Sequence, residues 1–556
     1  MAFVSLALAA GATVAAYGAW KVIRWFISIS PLYSHLHYLQ GPKSSSFIYG
    51  NLEEIRKAGT SELHEEWSVK YGKVMKYKAF FGESRLFTMD TKALNHILTH
   101  SVDFQKPAQA RFNLSRLLGD GILVTEEARY GEIYCGICVF SSRLTRCTIS
   151  KNPSFGPSSI KELTPVFFQK ALQLRDIWKS EVEAGQGSKT IEVLSWLSRT
   201  TLDIIGLAGF DYKFDALNVN QEPNELNKAF ATLLNATGMR SPIRLLQAFF
   251  PIFRLIPTER GRDEHLAQTT MRRIAEGLLR QRKSYILGDS SAEKKTSDFE
   301  GRDLLSALVK SNMDTELPDT QRMVDEDVLA QVPTFLVAGH ETTSTETMWC
   351  LFALSQRPDI QTKLRTELLD VSTDTPSMDE LSALPYLDIV VRETMRLHAA
   401  VPNTIRIAMH DDTIPVGEPF VDKYGKTHTE IKVGKGDGIF IPILALNRTK
   451  AIWGDDAAEF NPDRWANIPE GAKDVPGVWG NMMTFLGGAR SCIGYRFAII
   501  EMKALLFTLL RTFEFELAVP VEDIERRSLV VTRPYLKGQK GGAQMQLKVK
   551  LHDKNA

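Results

Sequence analysis

Cysteine is scarce in this sequence: five among 556 residues. Three of them, Cys135, Cys138 and Cys147, crowd into one stretch. The pair Cys135-Gly-Ile-Cys138 has no second ligand pair nearby, which argues against a zinc or dithiol site. Cys350 sits in a long helical pattern and reads as an apolar core residue. Net charge is also nearly absent, with 67 basic against 66 acidic residues. That leaves no electrostatic footprint for bulk nucleic-acid binding, and no nucleic-acid partner is expected. There is no G-x-x-x-x-G-K-[ST] phosphate loop and no dinucleotide fingerprint, so no nucleotide-driven module is built into the chain. No internal repeat or long low-complexity tract occurs. The one linker-like stretch, residues 288–298, reads as a surface loop, so one large domain is expected behind a hydrophobic content of 44%.

Long charge-free apolar runs are limited to the start of the chain. Residues 2–20 carry no charge, and Lys21 and Arg24 follow at once. About 20 such residues span a bilayer as a helix. The positive residues behind it place the rest of the chain on the cytoplasmic side. A cleaved signal peptide is the rival, but no basic residue precedes the apolar run. Residues 2–20 are therefore expected to be a membrane anchor, 21–49 a tether and 50–556 the functional domain. In that topology Asn113-Leu-Ser, Asn235-Ala-Thr and Asn447-Arg-Thr are chance glycosylation matches.

Chemistry concentrates in Phe485-Leu-Gly-Gly488-Ala-Arg490-Ser-Cys492-Ile-Gly494. A thiolate needs a cation or N–H donors to hold its charge. Glycines let backbone approach a flat ligand, and a helix starting just after Cys492 directs its positive end at the sulfur. Upstream, Ala338-Gly339-His340-Glu341-Thr342-Thr343 lies in a helical stretch from about Asp325 to Gln356. Pro333 and Gly339 are weak points in its hydrogen-bond ladder, where an opened helix could hold water. The bland alternative is a core helix whose hydroxyls bond back to carbonyls. Glu393 and Arg396, three apart, share a helical face, and Phe460-Asn-Pro462-Asp-Arg464-Trp465 follows.

All fixed positions of F-x-x-G-x-R-x-C-x-G are matched, and the four motifs stand in one order. Together they resemble the cytochrome P-450 family, over most of the chain from about Gly50, in the style of fungal microsomal members. The resemblance implies a mainly α fold with a small β region. It implies haem b, with Cys492 as axial ligand of the iron and Phe485, Gly488, Arg490 and Arg406 as further cofactor-binding residues. A thiolate in that place favours O–O cleavage. Gly339 would border the dioxygen groove, and Glu341 and Thr342 would relay protons to it. Glu393, Arg396 and Arg464 would form a buried structural triad. The activity implied is insertion of one oxygen atom of O2 into a lipophilic molecule: a terpenoid, steroid, fatty acid or polycyclic aromatic, in secondary metabolism or xenobiotic oxidation. With no reductase in the chain, electrons would come from NADPH through NADPH-cytochrome P-450 reductase, with cytochrome b5 a further candidate partner. The location implied is the endoplasmic reticulum membrane, with a cytosolic catalytic domain.

The pocket wall implied by the resemblance comprises residues 104–118, part of 235–250, 335–338, 400–404 and 531–535. Phe335, Val337, Ala338, Val401 and Val531 make it apolar, without a fixed charge. Residues 129–150 depart from the family: a basic helix with a propionate-binding Arg is replaced by a β-branched, cysteine-rich run. The segment reads as a retained intron or mis-predicted exon, with a genuine insertion as the alternative. Finding peptide 133–143 in native protein would refute the artefact. Two other classes stand beside the monooxygenase: a haem-thiolate peroxide-rearranging enzyme, and an inactive chain owing to residues 129–150.

Overall fold

A computed structural model describes Trp20 and residues 34–126, 155–218, 225–226, 228–229, 242–287, 303–313, 323–528, 530–539 and 542–552. The expected anchor, apart from Trp20, and the anomalous segment 129–150 lie outside these residues. Among the described residues no helix is long and apolar enough to cross a membrane. The backbone forms two compact units: residues 1–107, 402–453 and 470–490, and residues 108–401, 454–469 and 491–556.

The first unit carries most of the β structure. Strands β1 (Val74–Lys78) and β2 (Ser84–Thr88) form an antiparallel hairpin. β3 is Phe104–Gln105, β5 is Thr404–Ala408 and β8 is Gly438–Ile441. The five form a sheet in the order β1-β2-β8-β5-β3, with β2 and β8 parallel. β8 is the near-continuous apolar run Gly438-Ile-Phe-Ile441 and is buried throughout, as a central strand requires. Helix Thr91–Thr99 starts where Asp90 caps it, accepting the Ala93 N–H at 2.9 Å. Strands Asp412–Val421 (β6) and Thr427–Val433 (β7) form a separate two-stranded sheet.

The second unit is helical. Its axis is one unbroken helix, Asp325–Ser355, entered by Asp325, Glu326 and Asp327, whose charges suit the N-terminal dipole. The expected interruption does not occur: the helix runs on through Pro333 and Gly339. Tertiary packing overrides the local cost of those residues. Helix Val193–Phe210 crosses at Gly339, where an added Cβ would lie 2.9 Å from Ile205 Cγ1. The Thr201 hydroxyl of the crossing helix donates to the His340 carbonyl at 3.0 Å. Gly339 thus serves close helix packing. Helices Pro157–Ala184, Pro385–His398 and Tyr495–Leu510 complete the core, with Trp178, Trp349, Phe167 and Phe507 buried. Strands Ser188–Glu192 (β4), Phe513–Leu517 (β9) and Gln546–Leu551 (β12) form a sheet in the order β4-β12-β9. Strands Ile524–Ser528 (β10) and Thr532–Leu536 (β11) form a hairpin.

Candidate active site

In the first unit the glycine-rich loop is held as a tight backbone structure. Val478 N–H donates to the Leu486 carbonyl and Leu486 N–H to the Met483 carbonyl, both at 2.8 Å. Asn447 accepts the Met483 N–H at 2.8 Å and donates to Thr484 Oγ1 at 2.9 Å. Asn447 is buried, which accords with its glycosylation match being a coincidence. Gly488 has φ +67°, and a Cβ there would meet the Leu98 carbonyl oxygen at 2.2 Å. Only glycine meets both conditions, so the glycine singled out by the sequence has a backbone reason. Phe485 is half-buried and packs edge-on to Trp479. Arg490 is half-buried. Arg406 is buried in β5, where Nη1 donates to Thr404 Oγ1 and to the Ile405 carbonyl, both at 2.9 Å.

In the second unit Cys492 is a free, exposed thiol three residues before helix Tyr495–Leu510, with Gly494 as its N-cap. The surrounding protein desolvates it and pushes the thiol up to about 11, against the hydrogen bond from the Gly494 backbone. The sulfur therefore stays protonated at neutral pH unless a Lewis acid binds it, since metal coordination deprotonates a thiol outright. An exposed thiol with a helix N-terminus behind it fits the haem iron that the family resemblance implies.

Glu341 and Thr342 occupy the same long helix but face different partners. Thr342 Oγ1 donates to the Ala338 carbonyl at 2.7 Å, the back-bonded arrangement open to any helical threonine. Val337, Ala338, Gly339 and Thr342 are the half-exposed residues of a stretch that is otherwise buried. Glu341 is buried and ion-paired with Arg533 of β11. Its Oε1 also lies 3.2 Å from His340 Nε2. Arg533 is placed by its neighbour Thr532, whose N–H donates to the Ala400 carbonyl at 2.8 Å and whose carbonyl accepts Trp349 Nε1–H at 3.0 Å. Arg533, in segment 531–535, thus stands in an ion pair with Glu341.

His340 is buried, and Nδ1 donates to the Leu336 carbonyl at 2.7 Å. Burial pushes its pKa down to about 4; the Leu336 hydrogen bond opposes this and Arg533 adds to it. Sequence reasoning missed two buried carboxyls. Glu346 accepts the Ala400 N–H at 2.5 Å and is pushed up to about 8 by burial, against that bond. Burial likewise carries Glu501 well above the usual range, with a Thr343 hydrogen bond opposing. Glu501 interrupts an apolar helical run, which is the signal available for finding it; Glu346 stands among threonines and offers no such signal.

The expected triad is assembled. Arg396 Nε and Nη2 grip Glu393 at 2.9 and 2.8 Å, and Arg464 Nε reaches it at 2.9 Å. Trp465 Nε1 and the Asn461 N–H add bonds of 3.1 and 3.0 Å. Glu393 and Arg396 are fully buried. Every acceptor site of the carboxylate is used, so the charge is compensated as a buried ion requires.

Comparison with known proteins agrees with this geometry. The family model described as Cytochrome P-450 matches residues 39–539. The chain is 49% identical over 549 residues to cytochrome P-450 monooxygenase 205 of Postia placenta, covering 98% of each chain. It is 47% identical to monooxygenase 128 of the same fungus, covering 98% of this chain and 97% of the relative. It is 34% identical to monooxygenase claP of Ampulloclitocybe clavipes, covering 92% of each. A thiol loop, a buried Glu-Arg-Arg triad and relatives matched end to end lead to one assignment: the chain belongs to the cytochrome P-450 family of monooxygenases, and its cofactor is haem b.

Proposed function

We propose that the protein inserts one oxygen atom of dioxygen into a lipophilic small molecule of the terpenoid, steroid, fatty-acid or polycyclic-aromatic kind. Haem b, when bound, supplies the oxidation chemistry; the protein supplies ligand, proton path and pocket. Cys492 Sγ would bind the haem iron, Phe485 and Gly488 would shape the loop around it, and Arg490 and Arg406 would pair with the haem carboxylates. The Thr342 hydroxyl and the Glu341 carboxylate hold and pass protons, and Phe335, Val337 and Ala338 offer apolar contact. Electrons come from NADPH through a membrane-bound reductase, with cytochrome b5 as a second donor. Residues 2–20 anchor the chain in the endoplasmic reticulum membrane, with the catalytic domain in the cytosol.

The observation that carries this reading is Cys492: a free cysteine, exposed, bonded from the Gly494 backbone, just before the N-terminus of a helix. The test is the carbon monoxide difference spectrum of the reduced chain in microsomes. A thiolate-type Soret band that disappears in Cys492→Ser supports the assignment; an imidazole-type or absent band in the unmodified chain sinks it. Removing residues 2–20 should release the chain from the membrane pellet.

A second reading draws on the pairing of Glu341 with Arg533. A carboxylate occupied in this way suits a haem-thiolate enzyme that rearranges a peroxide and has no need of proton delivery. Turnover that proceeds with a peroxide and without NADPH would select it.

A further inference from the structure

Helices Ala108–Leu118, Pro242–Phe249 and Glu259–Ile286, all within the second unit, converge on one buried carboxylate, Glu264. Arg116 Nη2 lies 2.5 Å from Glu264 Oε2. Arg244 Nη2 donates to Oε1, and Arg260 Nε reaches the same oxygen at 3.2 Å. One negative charge serves three guanidiniums. Burial alone would raise Glu264, but Arg244, Arg116 and Arg260 outweigh it and hold the carboxyl below its ordinary range. Arg260 is pushed down by burial first and by Arg244 next, so the surplus of positive charge is felt locally. Buried Arg260 Nη2 has no hydrogen-bond partner among the described residues, and Glu264 Oε2 is met only by the Arg116 ion pair. The side chains of Arg116, Arg244 and Arg260 are 22%, 17% and 27% exposed, which keeps them partly desolvated yet within reach of a ligand. The Phe112 ring meets two guanidiniums, Arg254 at 3.8 Å and Arg116 at 5.6 Å from its centre. Gln268 Nε2 ties the arrangement together by donating to the Ser115 and Arg116 carbonyls at 3.2 and 2.8 Å.

Uncompensated buried charge is costly. Guanidiniums present paired N–H donors that match an oxyanion. We propose that Arg116, Arg244 and Arg260 form a binding site for the oxyanion head group, carboxylate or phosphate monoester, of a lipophilic ligand. The inference rests on the monooxygenase reading: Arg116 and Arg244 fall in segments that the family resemblance assigns to the pocket wall. It narrows the substrate to an amphiphilic acid. Glu264 acts as the internal anion that holds the arginines together, and the incoming head group takes the donors Glu264 leaves free.

The test uses the full-length haem-loaded protein, titrated by calorimetry with decanoate, decyl phosphate, methyl decanoate and phosphatidic acid vesicles. At least one anion should bind about tenfold or more tighter than the ester, as expected for charge-assisted hydrogen bonds. R244Q and R260Q should each weaken anion binding by about tenfold and leave the ester unchanged. E264Q, which removes the competing charge, should tighten it. Equal affinity for acid and ester overturns the proposal, as does a loss of anion binding in E264Q as large as that in R244Q. So does binding restricted to phosphatidic acid vesicles, which would make the cluster a contact with a lipid surface. The carbon monoxide spectrum, run on the same samples, reports separately on the monooxygenase reading. A chain that prefers decanoate to its ester but lacks the thiolate band keeps the anion site and loses that reading.

Discussion

Arg533, on the second strand of the β10–β11 hairpin, holds the carboxylate of Glu341 on the long helix. The acid that the sequence offers for proton delivery is thus committed to a cation in the folded chain. A relay through Glu341 must pass by way of this pair. Both side chains are largely buried, so the attraction is little screened.

Replacing Arg533 by Met leaves Glu341 as a buried charge without its counter-ion. Breaking such a pair costs about 3 kcal/mol. R533M is expected to lower the thermal midpoint clearly, and R533K to restore much of it. E341Q/R533M should recover most of the stability, because neither charge is then left alone. A double-mutant cycle that shows no coupling would refute the pairing.

The triad is expected to be less forgiving. Glu393 accepts bonds from Arg396, Arg464, Trp465 and Asn461. E393Q leaves two buried guanidiniums facing an amide, at a cost of about 3–5 kcal/mol. The variant should express poorly and bind little haem, read by the carbon monoxide band per mole of protein. Ordinary haem content together with an unchanged thermal midpoint would contradict this.

Gly488→Ala places a Cβ 2.2 Å from the Leu98 carbonyl and forces an alanine to φ +67°. The loop must move, so haem retention should fall while far-ultraviolet circular dichroism stays close to that of the parent. Gly339→Ala meets the Ile205 side chain, Cγ1 at 2.9 Å, and should be milder, since a side chain can shift where a carbonyl held in the backbone cannot.

Glu346 makes stability depend on pH in a definite direction. Folded, it titrates at about 8, against an ordinary 4.5. Below pH 4.5 it is protonated in both states and contributes nothing. Between 4.5 and 8 the unfolded chain binds fewer protons, so stability falls as pH rises, and above 8 the penalty is constant. The full penalty is at most about 5 kcal/mol. E346Q should flatten this part of the profile and stabilise the protein at pH 8. Urea melts from pH 5 to 8.5 check it; parallel profiles for the two proteins would count against it.

Contiguous signals are legible in the order of the residues. The Cys492 loop carries its glycines and its following helix within a dozen residues, because backbone geometry there is a local matter. The long helix is expected from Asp325 to about Gln356 and is observed as Asp325–Ser355, since its acidic start is also local. The union of Glu393 with Arg396 and Arg464 is legible only through the family resemblance, because helical spacing links the first two and nothing in the spacing links the third.

Other features depend on which surfaces meet. Pro333 and Gly339 look like breaks, but packing of the Val193–Phe210 helix keeps the long helix whole. The same sequence leaves Glu341 free or paired according to where Arg533 lands, and leaves Glu346 ionised or neutral according to what covers it. Arg116, Arg244 and Arg260 are unremarkable residues of three separate helices until Glu264 lies among them. Residue order alone determined the ligand loop and the course of the helices, because those follow from neighbouring dihedrals and caps. Only tertiary structure decided the partner and protonation of each buried charge, because these depend on distance through space and on exclusion of water.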